Sequence, residues 1–339
     1  MPRNVAGRTV TMQDVAREAG VSRPAVSFVL NGTNTASVGD ETRRRIIDAA
    51  ARLGYRPNAA ARALAQQRSD WIGFVTEIVT APFAVDIIKG AQDRALQDGR
   101  YLFIASTESD PELESAAIER LLEQRVEGLI YAATWHRGVD VPALAHEIPT
   151  VLVNCFDNAG ALPAIVPDEV AGGRRAAARL LSAGHQRIGL VNLDPDTPAA
   201  IGRREGLRQV LADADLEIAP ELEAIGHATA DGGYLAASEL LDLADRPTAL
   251  FCANDRMAMG AYDAIKERGL RIPDDIAVVG FDNQELIAAY LRPALTTIAL
   301  PFEEMGSRGV DLLASITAGE STATATVTVD CPLLERSSV

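Results

Sequence analysis

The run Thr11–Gly32, TMQDVAREAGVSRPAVSFVLNG, decides the reading of this 339-residue chain. Thr11-Met12-Gln13-Asp14 opens a helix, with a hydroxyl at the cap and an acid three residues on. Met12, Val15, Ala16 and Ala19 then fall at i, i+3, i+4 and i+7, one apolar stripe over two turns. Gly20 supplies the sharp corner. Ser22 caps a second helix, with Pro24 in its first turn, where a missing N–H costs little. Val26, Val29 and Leu30 face inward and leave Arg23, Pro24, Ser27 and Phe28 outward. A third amphipathic helix carries Ile46, Ala49, Ala50 and Leu53 on one face, and Gly54 closes it. Two short helices set at an angle, with a third in support, form a helix-turn-helix that reads DNA. A purely structural three-helix element would show the same short pattern, so the charge distribution is needed to separate the two.

Residues 1–68 hold 11 Arg, no Lys and 5 acids, a net of +6, while the whole chain carries −15, which leaves −21 for residues 69–339. Such asymmetry points to nucleic-acid contact at one end only. A body of that charge cannot help to hold phosphate, and sensing is the role left for it. At 47% hydrophobic and 23% charged, the composition is that of an ordered soluble protein. No apolar run approaches the roughly 18 residues of a spanning helix. Met1-Pro2-Arg3-Asn4 leads into no apolar h-region, so a cytoplasmic protein without membrane contact is expected. Cys155, Cys252 and Cys331 are far apart, odd in number and set in apolar surroundings, which predicts reduced buried thiols. His136, His146, His185 and His227 are dispersed, without metal-ligand spacing. No glycine loop for phosphate and no nucleophile beside a base is present, so neither metal, cofactor nor enzymatic activity is expected.

From Trp71 onward, apolar runs alternate with amphipathic stretches. Strands are predicted at Trp71–Val75, Tyr101–Ala105, Gly128–Ala132, Thr150–Asn154, Arg187–Val191, Ala249–Ala253 and Ile276–Phe281. Helices are predicted at Val85–Asp98, Pro111–Gln124, Gly172–Ala183, Arg203–Ala212, Tyr234–Leu243, Met257–Arg268 and Glu303–Thr317. This rhythm predicts doubly wound parallel sheets with helices on both faces, and the strands are too many for one comfortable sheet. Ligands of such sheets sit outside the carboxyl ends of strands. Asn254-Asp255 and Asp282-Asn283 stand at two such ends, Asp168 at another, and Arg203 opens a helix after the loop Asp194–Ala200. These residue types suit a polyhydroxylated molecule, because carboxylate accepts, guanidinium donates in a fork and amide does both. Asn254 and Asp282 fit equally as caps of the helices that follow. Arg203 beside Arg204 fits solvated surface, and a lone phenylalanine such as Phe83 is more often core. Trp135-His136 follow the strand Gly128–Ala132 and carry no assigned role.

The segments Val10–Ala16, Ala19–Ser22, Val26-Ser27, Val29–Gly32 and Leu53–Asn58 resemble the lactose/galactose-repressor family of bacterial transcription factors. The match is dense over the head and looser to about residue 335. The fold it implies is an all-α helix-turn-helix head plus an α/β periplasmic-binding-protein-like body of two doubly wound parallel-sheet lobes. Implied boundaries are a head at 1–57, a hinge helix at 58–68 and an effector-binding and dimerisation domain at 69–339. Within that domain, lobe 1 takes about 70–167 and 298–329 and lobe 2 about 168–297, with crossings near Pro167-Asp168 and Leu295–Ala299.

The resemblance also implies roles. Arg23, Pro24 and Phe28 match positions that enter the major groove, and Arg23 can pair with guanine O6 and N7. Phe28 departs from relatives that often carry Arg or His, and a phenyl ring offers a thymine methyl only apolar contact. Thr11 and Asn31 are expected at phosphates, with Ser22, Ser27 and Asn58 in the same DNA-facing set. Leu64 matches a hinge-helix residue wedged between base steps in the minor groove; a linker helix whose Leu64 packs on the body is the alternative. Phe83, Asp168, Arg203, Asn254 and Asp282 form the expected effector set, and Ala228 stands where some relatives stack an aromatic ring. The function implied is that of a regulator, a repressor, of a palindromic operator in double-stranded DNA, controlled by a small effector. A sugar or polyol is favoured, with a purine or nucleoside as the alternative. A non-DNA-binding sugar-binding protein would share the body but not the basic head. A two-fold operator demands a homodimer, and the absence of heptads after Leu334 predicts a dimer rather than a tetramer.

Overall fold

The computed structural model describes residues 10–30, 38–56, 69–320 and 324–339. The chain divides into two compact units between Asp70 and Trp71. The first holds α1 (Met12–Ala19), α2 (Arg23–Leu30) and α3 (Asp40–Leu53). The capping box forms: the Asp14 amide donates to Thr11 Oγ1 at 3.3 Å and the Thr11 amide to Asp14 Oδ2 at 3.0 Å. Gly20 and Gly54 both end helices at φ +65°, a left-handed conformation that costs glycine nothing. Val15, Val26, Ile46 and Ala49 are fully buried where the three helices meet.

The second unit contains two six-stranded sheets. In the first, the order is β11 (Thr326–Val329), β5 (Ala164–Pro167), β4 (Thr150–Asp157), β3 (Leu129–Val139), β1 (Trp71–Thr76), β2 (Tyr101–Ser106), all parallel. In the second it is β12 (Leu333–Leu334), β10 (Thr296–Ala299), β9 (Ala277–Asp282), β8 (Ala249–Cys252), β6 (Ile188–Asn192), β7 (Glu223–Ile225). Only β12 runs antiparallel there. Helices α4 (Pro82–Gln97) and α11 (Phe302–Thr317) cover one face of the first sheet and α5 (Pro111–Glu123) the other. Helices α6 (Glu169–Ser182) and α7 (Pro198–Ala212) cover one face of the second. On its other face lie α8 (Ala230–Leu241), α9 (Asp255–Glu267) and the short α10 (Glu285–Ala288). Along β1, Ile72 and Phe74 enter one core while Val75 enters the other, the mark of a strand buried on both faces.

Several expectations shift. β10 stays with the second sheet, register Thr297 to Gly280, so the chain crosses between lobes after Ala299, beyond the expected boundary at 297/298. A third crossing takes it from β11 back to β12. The helix expected to open at Arg203 begins at Pro198, because Thr197 accepts the Ala200 amide at 3.3 Å and proline occupies the first turn. β3 runs on to Val139 instead of stopping at Ala132. All three cysteines are buried free thiols, and burial pushes the Cys155 thiol up to about 12. Among the described residues no helix is long and apolar enough to cross a membrane, and no cluster of His, Cys, Asp and Glu could hold a metal.

Candidate functional site

Two surfaces carry the candidate residues, one on each unit. On the head, α2 buries Val26 and Val29 and leaves Arg23, Pro24 and Phe28 exposed, Ser27 half-buried. Phe28 is 45% exposed, unusual for a phenyl ring without an apolar partner to meet. Thr11 and Ser22 both act as caps, Ser22 Oγ accepting the Ala25 amide at 3.4 Å. These bonds orient the helices and leave α2 free to present its outer face. Asn31, Asn58 and Leu64 lie outside the described residues.

On the body, a cavity of about 420 Å³ opens between the lobes at the carboxyl ends of the strands. Arg203 reaches it from the second turn of α7. Glycines set its position: a Cβ on Gly173 or Gly206 would strike the backbone of the facing helix, so α6 and α7 approach closely. That approach lets Arg203 Nε donate to Glu169 Oε2 at 2.8 Å and Nη1 to the Ala253 carbonyl. The guanidinium also lies 3.8 Å from the centre of the Phe281 ring. Glu169 Oε1 faces His136 Nδ1 of the other lobe at 3.3 Å. Burial pushes Glu169 upward, but Arg203 and His136 more than offset it and hold the carboxyl below its ordinary value.

Asp282 ends β9 with φ +91° and lies beside a second buried carboxylate, Asp255. The Asp255 amide donates to Asp282 Oδ1 and Gln284 Nε2 to Oδ2, both at a long 3.4 Å. Asp255 instead takes the Thr297 hydroxyl at 2.6 Å and the Gln284 amide at 2.8 Å. Burial pushes Asp282 up to about 6 against the pull of Arg203 and Arg256; burial and the Asp282 charge push Asp255 well up. Asn254 caps α9, its Oδ1 accepting the Met257 amide at 2.7 Å, and also lines the cavity. Asp168 is different. Its carboxylate accepts the Ala171 amide at 2.9 Å as the cap of α6, and its neighbour Glu169 lines the cavity instead.

From the first lobe, Phe83 lines the cavity and stacks on Phe302 with centroids 4.8 Å apart. Arg256, on the opposite lobe, holds its guanidinium 5.9 Å from the Phe83 ring, and its buried Nε has no hydrogen-bond partner among the described residues. β3 bulges: Ala132 pairs with Val153 and Arg137 with Cys155, so residues 133–136 face Asn154 alone. The bulge turns Trp135 and His136 into the cleft. Asn154, at φ +59°, donates Nδ2 to the Ala133 carbonyl at 3.0 Å and keeps a buried Oδ1 with no partner among the described residues; it belongs to the cavity lining. The structure thus gathers Phe83, Arg203, Asn254 and Asp282 around one cavity, leaves Asp168 as a cap, and adds Trp135, His136, Asn154, Glu169 and Arg256 to the lining. Ala228 lines the cavity and contributes no ring.

Comparison with known proteins matches residues 11–58 to bacterial regulatory proteins of the lacI family and residues 177–339 to a periplasmic binding protein-like domain. The HTH-type transcriptional regulator GalS of Salmonella typhimurium is 37% identical over 331 residues, 97% of this chain and 96% of that protein. The HTH-type transcriptional repressor PurR of Mannheimia succiniciproducens is 33% identical over 331 residues, 97% of this chain and 98% of that protein. Among solved structures, the Lac repressor dimer bound to operator and the anti-inducer ONPF has a TM-score of 0.82 at 31% identity, with 98% of this chain and 99% of that one covered.

Proposed function

Because the chain belongs to the LacI family of bacterial regulatory proteins and is a DNA-binding transcriptional regulator, we propose that it is a homodimeric repressor of a palindromic operator, released or engaged by a carbohydrate bound between its lobes. The observation that carries the effector reading is Asp282. It is a buried carboxylate whose own hydrogen bonds are long and weak, set in a cleft with the donor Arg256 Nε and the acceptor Asn154 Oδ1, neither of which has a hydrogen-bond partner among the described residues. Vicinal hydroxyls donate to such a carboxylate and accept from such a guanidinium at once. Arg203, with two donors committed to Glu169 and Ala253, serves to hold the cleft wall as well as to meet ligand.

On the head, Arg23 reads a guanine, Pro24 and Phe28 give apolar contact, and Thr11, Ser22, Ser27, Asn31 and Asn58 position the unit on the backbone, with Leu64 as the minor-groove wedge. Ligand couples to DNA if the two lobe arrangements differ in how they present the heads, a two-state linkage. A purine remains the second reading, favoured by the similarity to PurR and by the flat surfaces of Phe83 and Phe302 in the cleft. Electrophoretic shift on a selected palindromic duplex, with and without D-galactose, D-ribose, cellobiose and hypoxanthine, tests the proposal. Binding of a specific duplex that responds to one of the saccharides is expected. Binding that responds only to hypoxanthine selects the second reading, and absence of specific binding overturns both.

A further inference from the structure

Ala228 contributes no ring to the second lobe's wall of the cleft, where His227 is the aromatic lining residue, and the first lobe offers a larger ring that its backbone holds exposed. Trp135 is 50% exposed although it lines the cavity, and a tryptophan left half in water on a soluble protein invites a partner. Three features hold it there. The bulge in β3 sets four residues against Asn154 alone, which re-aims the side chains between Ala132 and Arg137. The Thr134 amide donates to the buried Glu77 Oε2 at 2.8 Å and fixes the backbone just before the ring. Arg137, itself paired with Glu77, sets its guanidinium 5.0 Å from the ring centre and so covers part of the indole without closing it off. Exposure of the ring is therefore built in.

We propose that Trp135 is the stacking platform of this cleft, against which the apolar C–H face of a pyranose ring packs while the hydroxyls of the same effector meet Asp282 and Arg256 on the opposite lobe. This assignment rests on the carbohydrate reading above and narrows it to a ring-form saccharide with one face free of polar groups. It moves the ring contact from the second lobe to the first, so that closing the lobes brings an aromatic floor to a polar ceiling.

The chain holds two tryptophans, and Trp71 packs against Tyr101 and Phe103 rather than on the cavity. Intrinsic fluorescence on the full-length protein, titrated with cellobiose and D-galactose, therefore reports Trp135 once the Trp135→Phe variant is subtracted. Thermal shift with the same sugars and with hypoxanthine reads binding independently. A saccharide is expected to stabilise the wild type and change its emission. Trp135→Ala should then lose affinity at least tenfold, while Trp135→Phe stays within about threefold and emits no ligand-dependent signal. A saccharide that stabilises the wild type and Trp135→Ala alike overturns the platform and leaves the carbohydrate reading standing. No stabilisation by either saccharide, with or without a response to hypoxanthine, overturns the platform, and the carbohydrate reading falls with it when D-ribose too leaves the operator complex unchanged.

Discussion

Replacing Asp282 by Asn should make the ligand-free protein more stable and at the same time end its response to effector. The carboxyl rises from an ordinary 3.8 to about 6 because it is buried, with Arg203 opposing. In the sign convention of proton linkage, a carboxyl with a raised native value binds more protons folded than unfolded between those two pH values, so its ionisation costs stability as pH climbs. The cost is absent below pH 3.8, grows through about 6 and is constant above. At ~1.4 kcal/mol per tenfold step in acidity it reaches ~3 kcal/mol. Asparagine keeps the shape, never ionises, and tolerates φ +91° as well as aspartate does. For a body of this size the melting point should rise by about 5 °C at pH 7.5. At pH 5 the advantage should fall to about half. Differential scanning fluorimetry of wild type and Asp282→Asn across pH 4.5–8 checks this. An Asp282→Asn melting point equal to or below the wild type's at pH 7.5, or a difference that grows toward pH 5, would refute the reasoning, since either result means the carboxylate is stabilised rather than strained by its surroundings. The same protonation should weaken effector binding by about tenfold between pH 7.5 and 5, because only the ionised fraction accepts from two hydroxyls.

Glu169→Gln removes the partner of a buried Arg203 and should cost about 3–5 kcal/mol, read as a lower denaturation midpoint. Glu169 lies below its ordinary 4.5, so its contribution is present above that pH and lost as pH falls through the native value. The gap between the two proteins should therefore narrow as pH falls below 4.5, and a gap independent of pH would count against the pairing. Arg23→Ala should lose ~1–3 kcal/mol of discrimination at a single base step in an electrophoretic shift series with the fold retained; an unchanged sequence preference would remove Arg23 from the reading helix. Gly173→Ala drives a Cβ into the Arg203 backbone, and overpacking of that kind costs about 1–3 kcal/mol. It should weaken effector binding while the isolated grip on duplex stays as it was; effector affinity equal to wild type would show that the spacing of α6 and α7 is not what sets Arg203.

The head was legible almost residue by residue, because caps, glycine corners and the stripe at Val15, Val26 and Ile46 are local signals that act within one or two turns. The long buried strands of the body were legible for the same reason. What stayed hidden is short or non-local. β5, β7 and β11 have three or four residues each; β7 and β11 gain their pairing from strands distant along the chain, and β5 joins β4 to the distant β11. The bulge after Ala132 depends on Asn154, and a strand's end cannot be read when its partner slips register.

Glu169 makes the physical distinction sharpest. In sequence it is an acid in the first turn of a helix, a placement favoured anywhere by the helix dipole. Glu303 and Glu304 occupy the same turn of α11 and are exposed. Glu169 is buried because Gly202 leaves no Cβ to displace its own, and because Gly173 and Gly206 draw α7 over it, which brings an arginine from 34 residues away. Residues that line the cavity from a strand's end, such as Asp282 and Asn254, are set by local order and can be read from it. Those recruited by the approach of two helices are set by the absence of side chains elsewhere, and a glycine announces a close neighbour without saying which. It follows that substitutions at Gly173 and Glu169 should be coupled: once the glutamate is gone, enlarging the glycine has less left to disturb, and a double-mutant cycle should show effects on effector affinity that are smaller together than their sum.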